Sequence, residues 1–204
     1  MVSFECGKEL VKYARSVLET YFKSGKVDLP TNIREDLKKE LLEKRGVFVT
    51  IHSYPSYELR GCIGIPYPEK ELIRAVMDAT LASALEDPRF DPLTESELEK
   101  IVIEISILTE PKLIKVKDPK EYLDKIKIGR DGLIIKYGWY SGLLLPQVPV
   151  EQGWNEEEYL SWLCYKAGLP GDAWYDKKAE IYSFQAQIFY EEKPKGEIRE
   201  KKLG

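Results

Sequence analysis

The sequence predicts an α+β protein in which helices pack on mostly antiparallel sheets, arranged as two subdomains. Three observations lead there. Apolar residues recur at helical spacing over 8–22, they switch to strand alternation at 47–51, 59–65, 101–109 and 182–190, and the strands are joined by hairpin signals instead of regular βαβ units. The chain has 204 residues, 43% of them hydrophobic, enough for one sizeable core or two smaller ones. Pro111 marks the seam, giving expected subdomains over 1–110 and 111–192, the last strand returning to the first, and a charged, frayed tail over 193–204.

Each element has its own signal. Leu10, Val11, Ala14, Val17, Leu18, Tyr21 and Phe22 make an amphipathic helix from Lys8 to Phe22, with Gly25 as its stop. Ile33, Leu37 and Leu41 share a face of a second helix over 33–42, broken by Gly46. Val47 to Ile51, a Ser-Tyr-Pro-Ser turn and Leu59 to Ile65 read as an antiparallel hairpin. Gly61 and Gly64 weaken its second strand and mark a bulge or a close approach of another backbone or a ligand. A helix over 71–85 ends at Asp87-Pro88, and Thr94 with Glu97 forms a capping box before the strand 101–109. In that strand Ile101, Ile103, Ile105 and Ile107 alternate with polar Glu104 and Ser106, so one face is expected to be apolar.

In the second half, Asp118-Pro119 with Glu121 starts a short helix. Gly129-Arg130-Asp131-Gly132 is read as the turn of a hairpin joining 126–128 to 133–137, and 143–145 adds a strand. Residues 142–154 read as a long irregular binding loop carrying Gln147 and Glu151. Asn155 and Glu158 cap a helix that ends near Ala167, with Gly168 and Pro170 beyond. Tyr182, Phe184, Ala186, Ile188 and Tyr190 alternate in one last strand.

Composition excludes several functions. With 31 Lys and Arg against 35 Asp and Glu, the net charge of −4 provides no global field for nucleic acid or anionic membrane. The seven basic residues between Lys112 and Arg130, set against three acids, read best as a solvated edge. No run approaches the roughly 20 apolar residues of a membrane span. Three widely spaced cysteines fit neither a disulfide framework nor paired zinc ligands, which points to a reducing, cytoplasmic compartment. One histidine, His52, rules out sites built on several imidazoles, and no metal or cofactor is assigned. Few Asn, Gln and Met beside many Lys and Glu resemble the composition of thermostable proteins. None of the glycine clusters has the spacing of a phosphate loop or a dinucleotide turn.

Cysteine carries what chemistry remains. Cys164 falls on the apolar face of its helix and reads as core, whereas Cys6, near the N-terminus, reads as exposed. Symmetric closure of the first hairpin pairs His52 with Leu59 and Cys62 with Val49, putting His52 and Cys62 on opposite faces; a one-residue slip puts them on the same face. Cys62 lies two positions after Arg60, a setting that favours a thiolate, yet cysteine between glycines also serves as a small buried hydrophobe, and both readings stand.

The string Leu59-Arg60-Gly61-Cys62-Ile63-Gly64 resembles the hallmark of the AMMECR family. GVFVTIH at 46–52, EDPRFDPLT at 86–94, IEISILTEP at 103–111, GLLLPQV at 142–148 and EQGW at 151–154 resemble further family segments in the same order. The resemblance implies an α+β fold with two subdomains, in a family spread from archaea to humans and linked by association with a Memo-type protein and a radical S-adenosylmethionine enzyme. It implies no particular reaction. Two functions follow. One is a small-molecule or enzymatic site in which Arg60 and Arg89 hold an anion, Cys62 is nucleophile or thiolate ligand, Glu151 is a general base, and Gly61, Gly64 and Gln147 line the cleft. The other is a non-catalytic module for a protein or RNA partner.

Overall fold

The computed structural model describes residues 1–31 and 33–202 and divides them into two units, Met1–Leu108 with Gln187–Lys202, and Thr109–Ala186. In the first unit, helix α1 (Phe4–Ser24) starts four residues before the periodic stripe does, because the Ser3 hydroxyl accepts the Cys6 amide, and it ends at Gly25 in the left-handed region. That early start corrects the reading of Cys6. It lies one turn before Leu10 on the apolar face and is fully buried. Helix α2 spans only Lys38–Leu42; before it, Leu37 and Lys38 donate to the carbonyls of Arg34 and Glu35 in turns rather than a helix.

Strands β1 (Val47–Ser53), β2 (Leu59–Ile65) and β3 (Ile101–Leu108) join β8 (Ala186–Glu191) and β9 (Ile198–Lys201) in a sheet of order β2-β1-β3-β8-β9. Val47, Val49, Ile51, Ile103, Ile105 and Ile107 pack with Leu10 and Leu18 of α1 and with Leu72 and Val76 of α3 (Leu72–Leu85). β3 is the central strand, so its second face is covered as well: Val102 and Ser106 are buried, contrary to the expected polar face. The segment after Glu192, expected to fray, supplies β9, which pairs antiparallel with β8; Leu203 and Gly204 lie outside the described residues. β8 is anchored by buried Glu191, which accepts from the Arg15 guanidinium and, at 3.1 Å, from the Ile103 amide.

The second unit holds a sheet of order β4-β7-β5-β6, made of Lys112–Leu113, Glu180–Phe184, Gly132–Tyr137 and Tyr140–Leu144 respectively. The lysine-bearing β4 is an edge strand. The expected hairpin around Gly129–Gly132 does not form. The Asp131 carboxylate takes the Lys127 amide at 2.9 Å and the Arg130 guanidinium at 2.6 Å, closing a turn that leads from α4 (Tyr122–Lys125) into β5, whose hairpin partner is β6. The single alternating strand expected over 182–190 is two strands, β7 and β8, broken at Gln185 and belonging to different sheets. The expected irregular loop over 142–154 contains the end of β6 and a short helix, α5 (Gln147–Gln152). Helix α6 (Glu156–Lys166), with the Asn155–Glu158 capping box, buries Tyr159, Leu160, Leu163 and Cys164 against Ile126, Leu133, Ile135 and Ile181. No described helix is long and apolar enough to cross a membrane.

Candidate functional site

The first hairpin is where register decides chemistry. His52 pairs with Leu59, as symmetric closure requires, but Ile51 pairs with Gly61, Thr50 with Cys62 and Val49 with Ile63. Arg60 is the extra residue of a bulge, and every later pair slips by one. The expected pairing of Cys62 with Val49 is therefore corrected. The slip turns the Cys62 side chain to the face shared by Thr50 and His52, away from the apolar face of Val49 and Ile51.

Across that face, β1 brings two neighbours into line. Thr50 lies opposite Cys62 on one side and opposite Glu104 on the other, so thiol, hydroxyl and carboxylate form one row over β2, β1 and β3. The Thr50 hydroxyl donates to Cys62 Sγ at 3.3 Å. Ser106, two residues along β3 from Glu104, adds a buried hydroxyl with no hydrogen-bond partner among the described residues. His52 Nδ1 lies 3.2 Å from the Tyr57 carbonyl oxygen.

Behind the row, the turn after α3 clamps the backbone of β2. Asp87, buried, accepts the Cys62 amide through Oδ2 at 2.8 Å and the Arg89 amide through Oδ1 at 3.1 Å. The Arg89 guanidinium binds both oxygens of Asp87, at 2.9 and 2.7 Å, and donates to the Cys62 carbonyl at 3.2 Å. This guanidinium, with the two amides, holds the Asp87 carboxyl well below the usual carboxylate range. Burial pushes the Cys62 thiol up; the Thr50 hydroxyl and the Arg89 charge oppose that, and Asp87 and Glu104 add to it. The thiol is therefore protonated at neutral pH, and the guanidinium that acts on it is that of Arg89, not Arg60 as the spacing suggests.

Arg60 turns instead to Glu97, at 2.8 and 3.3 Å, and to the Asp91 carbonyl at 2.9 Å. Glu97 also closes the Thr94 capping box, so Arg60 ties the bulge to the turn before β3. Neither glycine of the hallmark needs a ligand to explain it. A Cβ at Gly61 would stand 2.1 Å from the Ser83 carbonyl oxygen of α3, and one at Gly64 would stand 2.3 Å from the Phe48 ring. Ser83 completes the contact by accepting the Ile63 amide and donating to the Val49 carbonyl, each at 2.8 Å.

Gln147 and Glu151 lie in the second unit, on α5. Gln147 is buried, and its Oε1 has no hydrogen-bond partner among the described residues; Glu151 is exposed. Cys164 is core, as its helical position indicates, with its thiol pushed up to about 11 by burial, and buried Cys6 is pushed up to about 12 by burial and by Glu40. Sequence reasoning missed Thr50, Asp87 and Glu104. Asp87 was visible only as a helix terminator, and Thr50 and Glu104 become partners of Cys62 only once the bulge fixes the register.

A family model described as AMMECR1 matches residues 11–189. Protein MJ0810 of Methanocaldococcus jannaschii is 56% identical over 203 residues, covering 100% of this chain and 98% of that one. Protein MK0488 of Methanopyrus kandleri is 52% identical over 204 residues, covering 99% and 96%. The crystal structure of the uncharacterised protein PH0010 from Pyrococcus horikoshii superposes with a TM-score of 0.92 at 49% identity, covering 99% of each chain.

Proposed function

This chain belongs to the AMMECR1 family, and from its own geometry we propose that the first unit carries a small-molecule site on the sheet face where Cys62, Thr50 and Glu104 stand in one row. That row is the observation on which the reading rests. A protonated thiol donates and a carboxylate accepts, while the Thr50 hydroxyl, its proton directed at Cys62 Sγ, offers lone pairs; together they complement a small polar ligand carrying both acceptor and donor groups. Arg60 and Arg89 each already face a carboxylate, so an uncharged ligand fits better than the anion those arginines would otherwise attract. In this reading Cys62 touches the ligand and Arg89 frames it, while Arg60, Gly61 and Gly64 hold the strand. Gln147 and Glu151 belong to the second unit and take no part in this reading. The compartment in this reading is the cytoplasm, in keeping with three unbridged cysteines, and its composition favours heat stability.

The test is a screen of small uncharged polar compounds, with small carboxylates as counter-set, followed through backbone amide shifts of the full chain. Ligands should move Thr50, Cys62, Arg89 and Glu104 together and should lose binding in Cys62→Ala and Glu104→Gln. Carboxylates binding there more tightly, or ligands indifferent to both variants, would overturn the reading. A second reading, a non-catalytic interaction module, is favoured by the aromatic groups that the second unit exposes.

A further inference from the structure

Helix α6 has an inner face that belongs to the core and an outer face that does not behave like a solvated helix. Glu157, Glu158, Trp162, Tyr165 and Lys166 are all exposed, Trp162 at 48% and Tyr165 at 55%. The two aromatic residues are not loose. Trp162 stacks on Trp154 with ring centroids 5.2 Å apart and planes 5° from parallel, and Tyr165 meets Trp162 at 5.5 Å and 77°. The result is a stacked aromatic corner on the surface.

Its charges are mainly acidic, with Lys166 in the last turn. Glu158 lies one turn before Trp162, its Oε2 fixed by the Asn155 amide at 2.9 Å, and Glu157 stands 3.5 Å from the Tyr175 hydroxyl, itself on an exposed ring. Neither carboxylate is in an ion pair among the described residues, and Lys166 is the single cation of the helix. Indole faces attract cations, and adjacent carboxylates supply the hydrogen-bond acceptors that a cation needs once it leaves water. A planar guanidinium satisfies both demands at once, stacking on the ring while donating to a carboxylate, whereas an ammonium is a more strongly hydrated point charge. We infer that the outer face of α6 is a docking surface for an arginine-bearing segment of a partner protein. The inference concerns the second unit alone and does not depend on the Cys62 reading.

The probe is the peptide Gly-Arg-Gly-Arg-Gly, with lysine and glutamate counterparts, titrated into the full chain while the amide shifts of 154–166 are followed. The arginine peptide should saturate with a Kd on the order of 1 mM at low salt, the lysine peptide should bind several-fold more weakly, and the glutamate peptide should not bind. Trp162→Ala should weaken the arginine peptide about 10-fold. Glu157→Gln should weaken it less, and Glu158→Gln, which keeps an acceptor for the capping box, likewise. The surface is not an arginine site if the glutamate peptide binds equally well, if no shift saturates, or if Trp162→Ala binds like the parent. A concentration-dependent dimer that covers α6 without peptide would assign the face to a second copy of the chain and also overturn the proposal.

Discussion

Strand β2 and helix α6 treat their chemically conspicuous residues in opposite ways. In β2 each hallmark residue from Arg60 to Gly64 is engaged from within: Arg60 by Glu97, Gly61 by the Ser83 carbonyl, Cys62 by Asp87 and Thr50, Ile63 by Ser83, Gly64 by Phe48. In α6 the aromatic corner is ordered by its own stacking and the adjacent carboxylates have no ion-pair partner among the described residues. The comparison teaches that an unusual motif is not by itself a site. Most of the hallmark is explained by packing and backbone satisfaction, and only the proposed function gives the row of side chains on the sheet face a ligand.

If β2 is engaged throughout, its variants should be costly while those on the outer face of α6 are cheap. Within the hallmark, Gly61→Ala should cost most, about 3 kcal/mol in urea denaturation, because the new Cβ meets main chain that cannot swing away. A loss under about 0.5 kcal/mol would mean that β2 and α3 slide apart freely. Asp87→Asn should cost about 2 kcal/mol at pH 7, since it weakens charge-assisted bonds to Arg89 and to two amides. The Asp87 carboxyl is depressed in the fold, so its contribution is complete above the ordinary carboxylate pKa near 3.9 and fades as pH falls below it. The deficit of the asparagine variant should accordingly shrink between about pH 4 and the acid limb, read from denaturation midpoints at several pH values.

Cys62→Ser should cost about 1 kcal/mol in thermal or urea melts, the hydroxyl finding Thr50 as a partner but losing the apolar bulk of sulfur. Trp162→Ala should cost least, about 0.5 kcal/mol, whereas Leu160→Ala on the inner face of the same helix should cost about 2–5. Equal costs at the two α6 positions would erase the contrast between its faces.

Much of the fold was legible because periodicity reports burial directly: the stripe of α1, the β1–β2 hairpin and the three capping boxes stand where the pattern puts them. What was not legible has a common cause. Alternation says which face a residue takes but not which sheet the strand joins, so β7 and β8 read as one strand, and the charges of Arg199, Glu200 and Lys201 hid an edge strand. At the site, Cys62 and the glycines stood out by type and spacing, and Arg89 only through the segment that resembles the family. Thr50 and Glu104 did not, because a single bulged residue, Arg60, determines which side chains share the face with Cys62.

The most direct test of that row is the rate of iodoacetamide alkylation at Cys62 against pH, resolved from the buried Cys6 and Cys164 by peptide mass spectrometry. The rate should follow a thiol pKa above the ordinary value of about 8.5. Glu104→Gln, which removes a charge that raises it, should bring it down, and Thr50→Val, which removes the hydroxyl that donates to the sulfur, should send it further up. A pKa below 8.5 that neither variant moves would contradict the account, for Cys62 would then be an activated thiolate governed by groups outside the row.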